Sequence, residues 1–326
     1  MCSDSNILNK GAKATINLGR GKVWTARICP HPELMTITEY IDRTVSRFEQ
    51  AEIFFGHGTD NSLDEAVYLV YSSLHFDFGE DYRELGQELT AAEQRLLDAR
   101  VSRRIENREP VAYLVGEAWF CGLPFYCDDR ALIPRSPIAE LIHEGFQPLC
   151  HRPPARILDL CTGGGCIGIA CAMQFGDAHV DLADISPDCL QLAQDNIDRH
   201  GTSDRVRTIE SDLFDKVEGR YDLIVANPPY VSAEEIAALP VEYQHEPRLG
   251  LESAADGLDI PLRILQEAAQ YLEEDGVLVM EVGYSAERLQ ARLTKVPLLW
   301  LSFEQGGEGV MAITAKELVK YRENLF

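Results

Sequence analysis

Two periodicities of apolar and polar residues divide this chain. From Ile37 to about Arg108 apolar residues recur at helical spacing. Ile37, Ile41, Val45 and Phe48 fall on one face, as do Val67, Val70 and Leu74. Ser62-x-x-Glu65 and Thr90-x-x-Glu93 have the form of capping boxes, each opening an amphipathic run. From Val111 to Ile133 the period shortens around Gly116, Gly122 and Pro124, which predicts a β-hairpin packed by Trp119, Phe120, Phe125 and Tyr126, with substrate docking as the alternative role of those rings. After Ser136-Pro137, a helix-opening pair, short apolar runs at 155–160, 179–184, 206–210, 221–226 and 277–282 alternate with helical segments. Ser186-Pro187 and Gly201 bracket one of those helices. The alternation predicts an α/β fold, a parallel sheet with helices on both faces. Two last runs, 298–304 and 309–315, are joined by Gln305-Gly306-Gly307-Glu308, a hairpin loop, so the final strand is expected antiparallel.

The expected organisation is therefore an arm at 1–35, a helical domain at 36–109, a β-hairpin linker at 110–135 and an α/β domain at 136–326. The arm holds five basic residues (Lys10, Lys13, Arg20, Lys22, Arg27) against Asp4 and Glu33, with Gly-Arg-Gly and two prolines and no apolar period. It is expected to be disordered or not native to the protein.

Composition narrows the function. At 326 residues, 45% hydrophobic and 25% charged, the chain reads as globular, and no apolar run reaches membrane-spanning length. The nine cysteines are odd in number and include no C-x-x-C pair, which predicts reduced thiols in a cytoplasmic protein rather than a disulfide framework or a zinc site. A net charge of −23 argues against binding free duplex DNA, which needs Lys and Arg to neutralise phosphates. It suits a basic protein partner, and equally it serves solubility.

Two stretches carry candidate chemistry. Asn227-Pro228-Pro229-Tyr230 directly follows the apolar run 221–226, and the carboxyl end of a strand in an open α/β sheet is where ligands bind. The Asn227 side-chain carbonyl and the Pro228 backbone carbonyl are two acceptors that together suit an NH2 group, either a carboxamide or the exocyclic amine of a base. Tyr230 supplies an aromatic wall. The bland alternative is a Pro-rich turn started by Asn. The second stretch, Asp159-Leu160-Cys161-Thr162-Gly163-Gly164-Gly165-Cys166, turns from a strand into a helix, and Asp184 closes the next strand where an acid holds ribose hydroxyls. That fingerprint fits a dinucleotide, a nucleoside such as S-adenosylmethionine, or a plain βαβ turn. The Asp159 carboxylate favours the second, since it repels a pyrophosphate and can pair with the amino group of a methionine moiety. Cys161 and Cys166 read as packing residues.

The glycine loop, Asp184, Ser211-Asp212-Leu213-Phe214 and Asn227-Pro228-Pro229-Tyr230, in that order and spacing, resemble a class I S-adenosylmethionine-dependent methyltransferase of the protein-glutamine N5 group. Leu132-Ile133-Pro134-Arg135-Ser136-Pro137 resembles the same group's linker. Trp119-Phe120-Cys121-Gly122 and Gly56-His57-Gly58-Thr59-Asp60-Asn61 look like the branch that modifies the third protein of the large ribosomal subunit; the release-factor branch lacks the second segment. The resemblance runs from about Ile37 to about Arg322, with Gly164 in place of the usual Ser or Thr. It implies a doubly wound seven-stranded sheet, a substrate-recognising helical domain, and S-adenosylmethionine held by Asp159, Cys161, Thr162, Gly163, Gly164, Gly165, Asp184, Asp212, Leu213 and Asn227. It further implies glutamine bound by Asn227, Pro228, Pro229 and Tyr230, with Asn227, Pro228 and Tyr230 at the chemistry and no metal. Glu246-Pro247 resembles a family segment after that loop, with no role assigned, and His57 and His245 are expected to be structural. A glutamine methyltransferase of release factors, or an adenine-N6 or guanine-N2 nucleic-acid methyltransferase acting on a flipped base, remains the alternative.

Overall fold

The computed structural model describes residues 35–253, 256–304 and 306–326, together with two short strands, β1 (Lys13–Asn17) and β2 (Val23–Arg27). These two pair antiparallel. The rest of the expected arm lies outside the described residues.

The helical segment folds as α1 (Ile37–Ala51), α2 (Ser62–Leu74), α3 (Ala91–Glu106) and a short α4 (Val111–Val115). Thr36/Glu39 and Thr90/Glu93 form reciprocal capping boxes at α1 and α3. At α2 the cap falls one residue earlier than the expected Ser62: Asn61 accepts from the Asp64 N–H. Glu65 is thereby released from capping, and its buried carboxylate accepts from Thr59 and Arg104 instead. Ile37, Ile41, Phe48, Leu69, Val70, Leu97 and Val101 close the core, whereas Val45, Val67 and Leu74 sit partly buried at its margin.

The linker begins differently from expectation. Residues 111–115 are helical, and only after Gly116, at φ 76°, does the chain extend into β3 (Glu117–Phe120) and β4 (Leu123–Tyr126), which pair antiparallel. Val111 and Ala112 are buried against the helical core, and that packing overrides the strand preference of Val111.

Beyond α5 (Ile138–His143) come β5 (Arg156–Leu160), α6 (Cys166–Gln174), β6 (His179–Asp184), α7 (Pro187–His200), β7 (Val206–Glu210) and β8 (Tyr221–Ala226). Three short or medium helices follow, α8 (Ala233–Ala238), α9 (Arg248–Leu251) and α10 (Asp259–Glu267), and then β9 (Leu272–Glu281), α11 (Ala286–Arg292), β10 (Leu299–Trp300) and β11 (Val310–Thr314). The sheet has seven strands in the order β10-β11-β9-β8-β5-β6-β7. β9, β8, β5, β6 and β7 run parallel, while β11 is antiparallel to both β9 and β10, as the loop at 305–308 predicts. β10 shrinks to two residues and β9 starts earlier than its apolar run, with an irregularity opposite Tyr221 and Leu223. Alternate strand residues feed separate cores. Leu158, Leu160, Ile224 and Ala226 face one helical layer, and Ile157, Leu223 and Val225 the other.

Helical domain, linker and α/β domain meet at buried Glu246. Its carboxylate accepts two parallel bonds from Arg135 at 2.6 and 2.8 Å and one from the Ile133 N–H at 3.0 Å, with His57 Nε2 at 3.5 Å. Burial pushes the Glu246 carboxyl up, but the Arg135 charge and the His57 and Arg135 contacts outweigh it and hold the group at about 2. Nearby Glu242 accepts from the Phe54 N–H at 2.9 Å and from Arg104 at 3.4 Å.

Candidate active site

The chain order of the strands reverses between β5 and β8, and their carboxyl ends open there into a cleft of about 310 Å³. Each following loop contributes side chains. Cys161, Thr162, Gly163 and Gly164 come after β5, Asp184 ends β6, Asp212 and Leu213 follow β7, and Asn227, Pro229 and Tyr230 follow β8. Asp159, Gly165 and Pro228 are not at the cleft wall; Asp159 and Pro228 are buried behind it.

The glycine loop is shaped by close packing. Gly165 has φ 83°, and a Cβ there meets Ile169 and Leu182 at 3.1 Å. Gly168 lies so close to β6 that a Cβ sits 2.2 Å from Leu182 Cδ2. Asp159 holds this turn: its Oδ2 accepts from Thr162 Oγ1 at 2.6 Å and from the Gly168 N–H at 2.9 Å. Its Oδ1 is buried with no partner among the described residues. Burial raises its carboxyl to about 7, against the lowering effect of those two bonds. Asp159 thus braces the loop through Oδ2. An acid at a strand end has the same signature whether its side chain turns outward or under the loop.

Asp184 ends β6 and lines the cleft. Its Oδ2 accepts from the Gly163 N–H and its Oδ1 from the Ser186 N–H, both at 2.9 Å, and each oxygen keeps a lone pair for a ligand hydroxyl. Asp212 is bonded on Oδ1 by Arg263 at 3.0 Å. Cys161 and Leu213, both non-glycine, adopt left-handed backbone at φ 57° and 46°, and both lie on the cleft wall. Burial raises the Cys161 and Cys166 thiols, which suits packing groups.

The loop after β8 is clamped from several sides. Ser285 Oγ donates to the Tyr230 carbonyl at 2.7 Å, and a Cβ on Gly283 falls 2.7 Å from the Tyr230 ring. The Tyr230 hydroxyl donates to Glu281 Oε1 at 3.0 Å, while Ser136 Oγ donates to Glu281 Oε2 at 2.5 Å. Burial raises the Glu281 carboxyl despite these bonds. The Asn227 side-chain amide, by contrast, bonds to no described residue. It is a ready acceptor and donor at the mouth of β8.

Glu281, Ser136, Arg135 and Asn196 are residues that local sequence reasoning did not assign. Glu281 carried the signal that marked Asp184, an acid closing an apolar strand. Asn196, fully buried on α7, accepts from the Tyr126 N–H at 2.7 Å and donates to the Tyr126 and Gly164 carbonyls at 3.2 and 2.9 Å. No local pattern marks it, because its partners lie 70 and 32 residues away. His57 and His245 take structural places, the latter 2.8 Å from the Asn107 carbonyl. Among the described residues no group of three or more His, Cys, Asp or Glu is arranged to hold a metal, and no helix is long and apolar enough to cross a membrane.

Family comparison agrees with this layout. Residues 39–116 match the PrmC N-terminal domain model, and residues 144–241 the methyltransferase small domain model. A Francisella tularensis protein called ribosomal protein uL3 glutamine methyltransferase is 45% identical over 293 residues, covering 89% of this chain and 93% of that protein. A Xanthomonas campestris protein of the same name is 49% identical over 293 residues, covering 89% of this chain and 94% of its own length.

Proposed function

This chain belongs to the ribosomal protein uL3 glutamine methyltransferase family, and from that premise we propose that it methylates the side-chain amide nitrogen of a glutamine in uL3, with S-adenosylmethionine as donor. The observation that carries the reading is the Asn227 amide, bonded to no described residue and lining the same cleft as Gly163 and Asp184.

Asp184 would hold the ribose hydroxyls of S-adenosylmethionine, Cys161, Thr162, Gly163, Gly164 and Gly165 its amino-acid end, and Asp212 and Leu213 its base. The donor contributes a methyl group on a positively charged sulfur. Asn227 and the Pro228 carbonyl each accept one N–H of the glutamine amide, and Tyr230 and Pro229 wall its side chain. An amide lone pair is delocalised into its carbonyl, and holding both N–H groups turns it toward the methyl carbon. The donor would supply its methyl group to the amide nitrogen and leave as S-adenosylhomocysteine, and the nitrogen would release one proton to water. Positioning is the main contribution, so no strong base is required. The acidic balance of −23 fits a basic ribosomal protein, free or in an assembly intermediate, and the free thiols fit the cytoplasm.

The test is incubation with labelled S-adenosylmethionine and either uL3, a release factor, or RNA and DNA. Label on a uL3 glutamine is expected. Asn227→Ala should lower turnover roughly 10²-fold or more while S-adenosylhomocysteine still binds. Label only on release factor or nucleic acid overturns the substrate assignment, and an active Asn227→Ala overturns the mechanism.

A further inference from the structure

The β3–β4 hairpin has one packed face and one bare face. Ala118, Phe120 and Phe125 point inward and are buried, as strand alternation requires. On the other face Trp119 is 44% and Tyr126 49% exposed. The register sets Trp119 opposite Pro124 and Tyr126 opposite Glu117, so the two rings are diagonal neighbours. Phe78, 41% exposed and following α2, meets Trp119 edge-on with ring centroids 5.3 Å apart.

These rings are held in place. Arg199 lies over the Tyr126 ring at 4.5 Å, and Phe78 rests on Tyr71 with centroids 5.5 Å apart. A fixed aromatic patch left in water marks an interaction site, since aromatic anchors lose little entropy on binding. Exposed Asp77, Glu80 and Asp81 surround Phe78 in sequence, on a chain of net charge −23. Such a rim favours cationic partners, and Lys or Arg side chains stack well on indole and phenol faces. The patch also adjoins the chemistry. Phe120, on the reverse face of the same strand, lines the cleft, and Asn196 bonds the Tyr126 backbone to Gly164 of the glycine loop.

We propose that Phe78, Trp119 and Tyr126 form a docking surface for a basic segment of the substrate protein, separate from the cleft that takes the glutamine. This rests on the uL3 reading above. Docking on the outer face of the hairpin brings the substrate against the wall that carries Phe120.

The test compares intact uL3 with a short peptide spanning the methylated glutamine. Trp119→Ala and, separately, Phe78→Ala should raise KM for uL3 roughly tenfold or more without changing kcat. Peptide kinetics and S-adenosylhomocysteine affinity should stay at wild-type values, which separates lost docking from lost folding. Wild-type KM for uL3 in both variants overturns the surface alone. An equal loss on the peptide also overturns it, since the defect then lies in the cleft or the fold. A wild-type protein inactive on uL3 overturns the substrate class and this partner together. A wild-type dimer that Trp119→Ala disperses in sedimentation assigns the face to a second copy of the chain instead.

Discussion

Tyr230 donates its hydroxyl to Glu281 across 3.0 Å, tying the loop that follows β8 to the end of β9. The bond matters because the neighbouring Asn227 side chain bonds to no described residue that would hold it. The rigidity of its loop therefore comes from Tyr230, with Ser285 and Gly283 behind it. Tyr230→Phe leaves a buried carboxyl oxygen without its donor. It should cost about 1–3 kcal/mol of stability by denaturant titration. Turnover should fall while S-adenosylhomocysteine affinity, measured by calorimetry, holds; equal stability of variant and wild type would remove the clamp.

Asp184→Ala should weaken S-adenosylhomocysteine binding by about 1.5–3 kcal/mol, the contribution of a hydrogen bond to a charged group. Both Asp184 oxygens also hold loop N–H groups, so part of the loss arises from a looser Gly163. Turnover at saturating donor should change less than affinity. Unaltered calorimetric affinity would take Asp184 out of the donor site.

Glu246 predicts a dependence of stability on acid. Its folded carboxyl is held at about 2, below the unfolded value, so its contribution is complete above the unfolded value and is lost as pH falls toward about 2. Glu246→Gln should flatten the acid limb of a stability–pH profile. It should also cost about 3 kcal/mol at neutral pH, the low end for breaking a buried ion pair, because the amide keeps some hydrogen bonding to Arg135. Measuring urea midpoints from pH 3 to 7 decides the matter, and parallel profiles would contradict the assignment.

Asp159 predicts the opposite sign. Its folded carboxyl is raised from 3.8 to about 7, so the folded state binds the extra proton and stability declines as pH rises through that interval. Asp159→Asn should remove this decline, since the amide oxygen can still accept from Thr162 or Gly168 and carries no charge. The same urea series reports it; an unchanged slope would show that another group is responsible.

Periodicity alone determined the α/β class, the strand sequence and the reversed last strand, because buried parallel strands must be apolar and a four-residue glycine loop is too short for a helical crossover. The chain also displayed most of the cleft: Asp184 ends a strand and Gly163, Asp212 and Asn227 stand just past one, and strand ends converge in any sheet of this winding. Which way a strand-end acid turns was decided only in three dimensions. Asp159 folds under its loop and Asp184 stays at the wall, since Gly168 lies close enough to Asp159 on β5 to offer its N–H to that carboxylate. Residues 111–115 became a helix because the helical core could bury Val111 and Ala112. Glu246, Arg135, His57 and Asn196 meet partners far away in sequence. Such contacts leave no local periodicity, and only the packing of helical domain, linker and sheet against one another creates them.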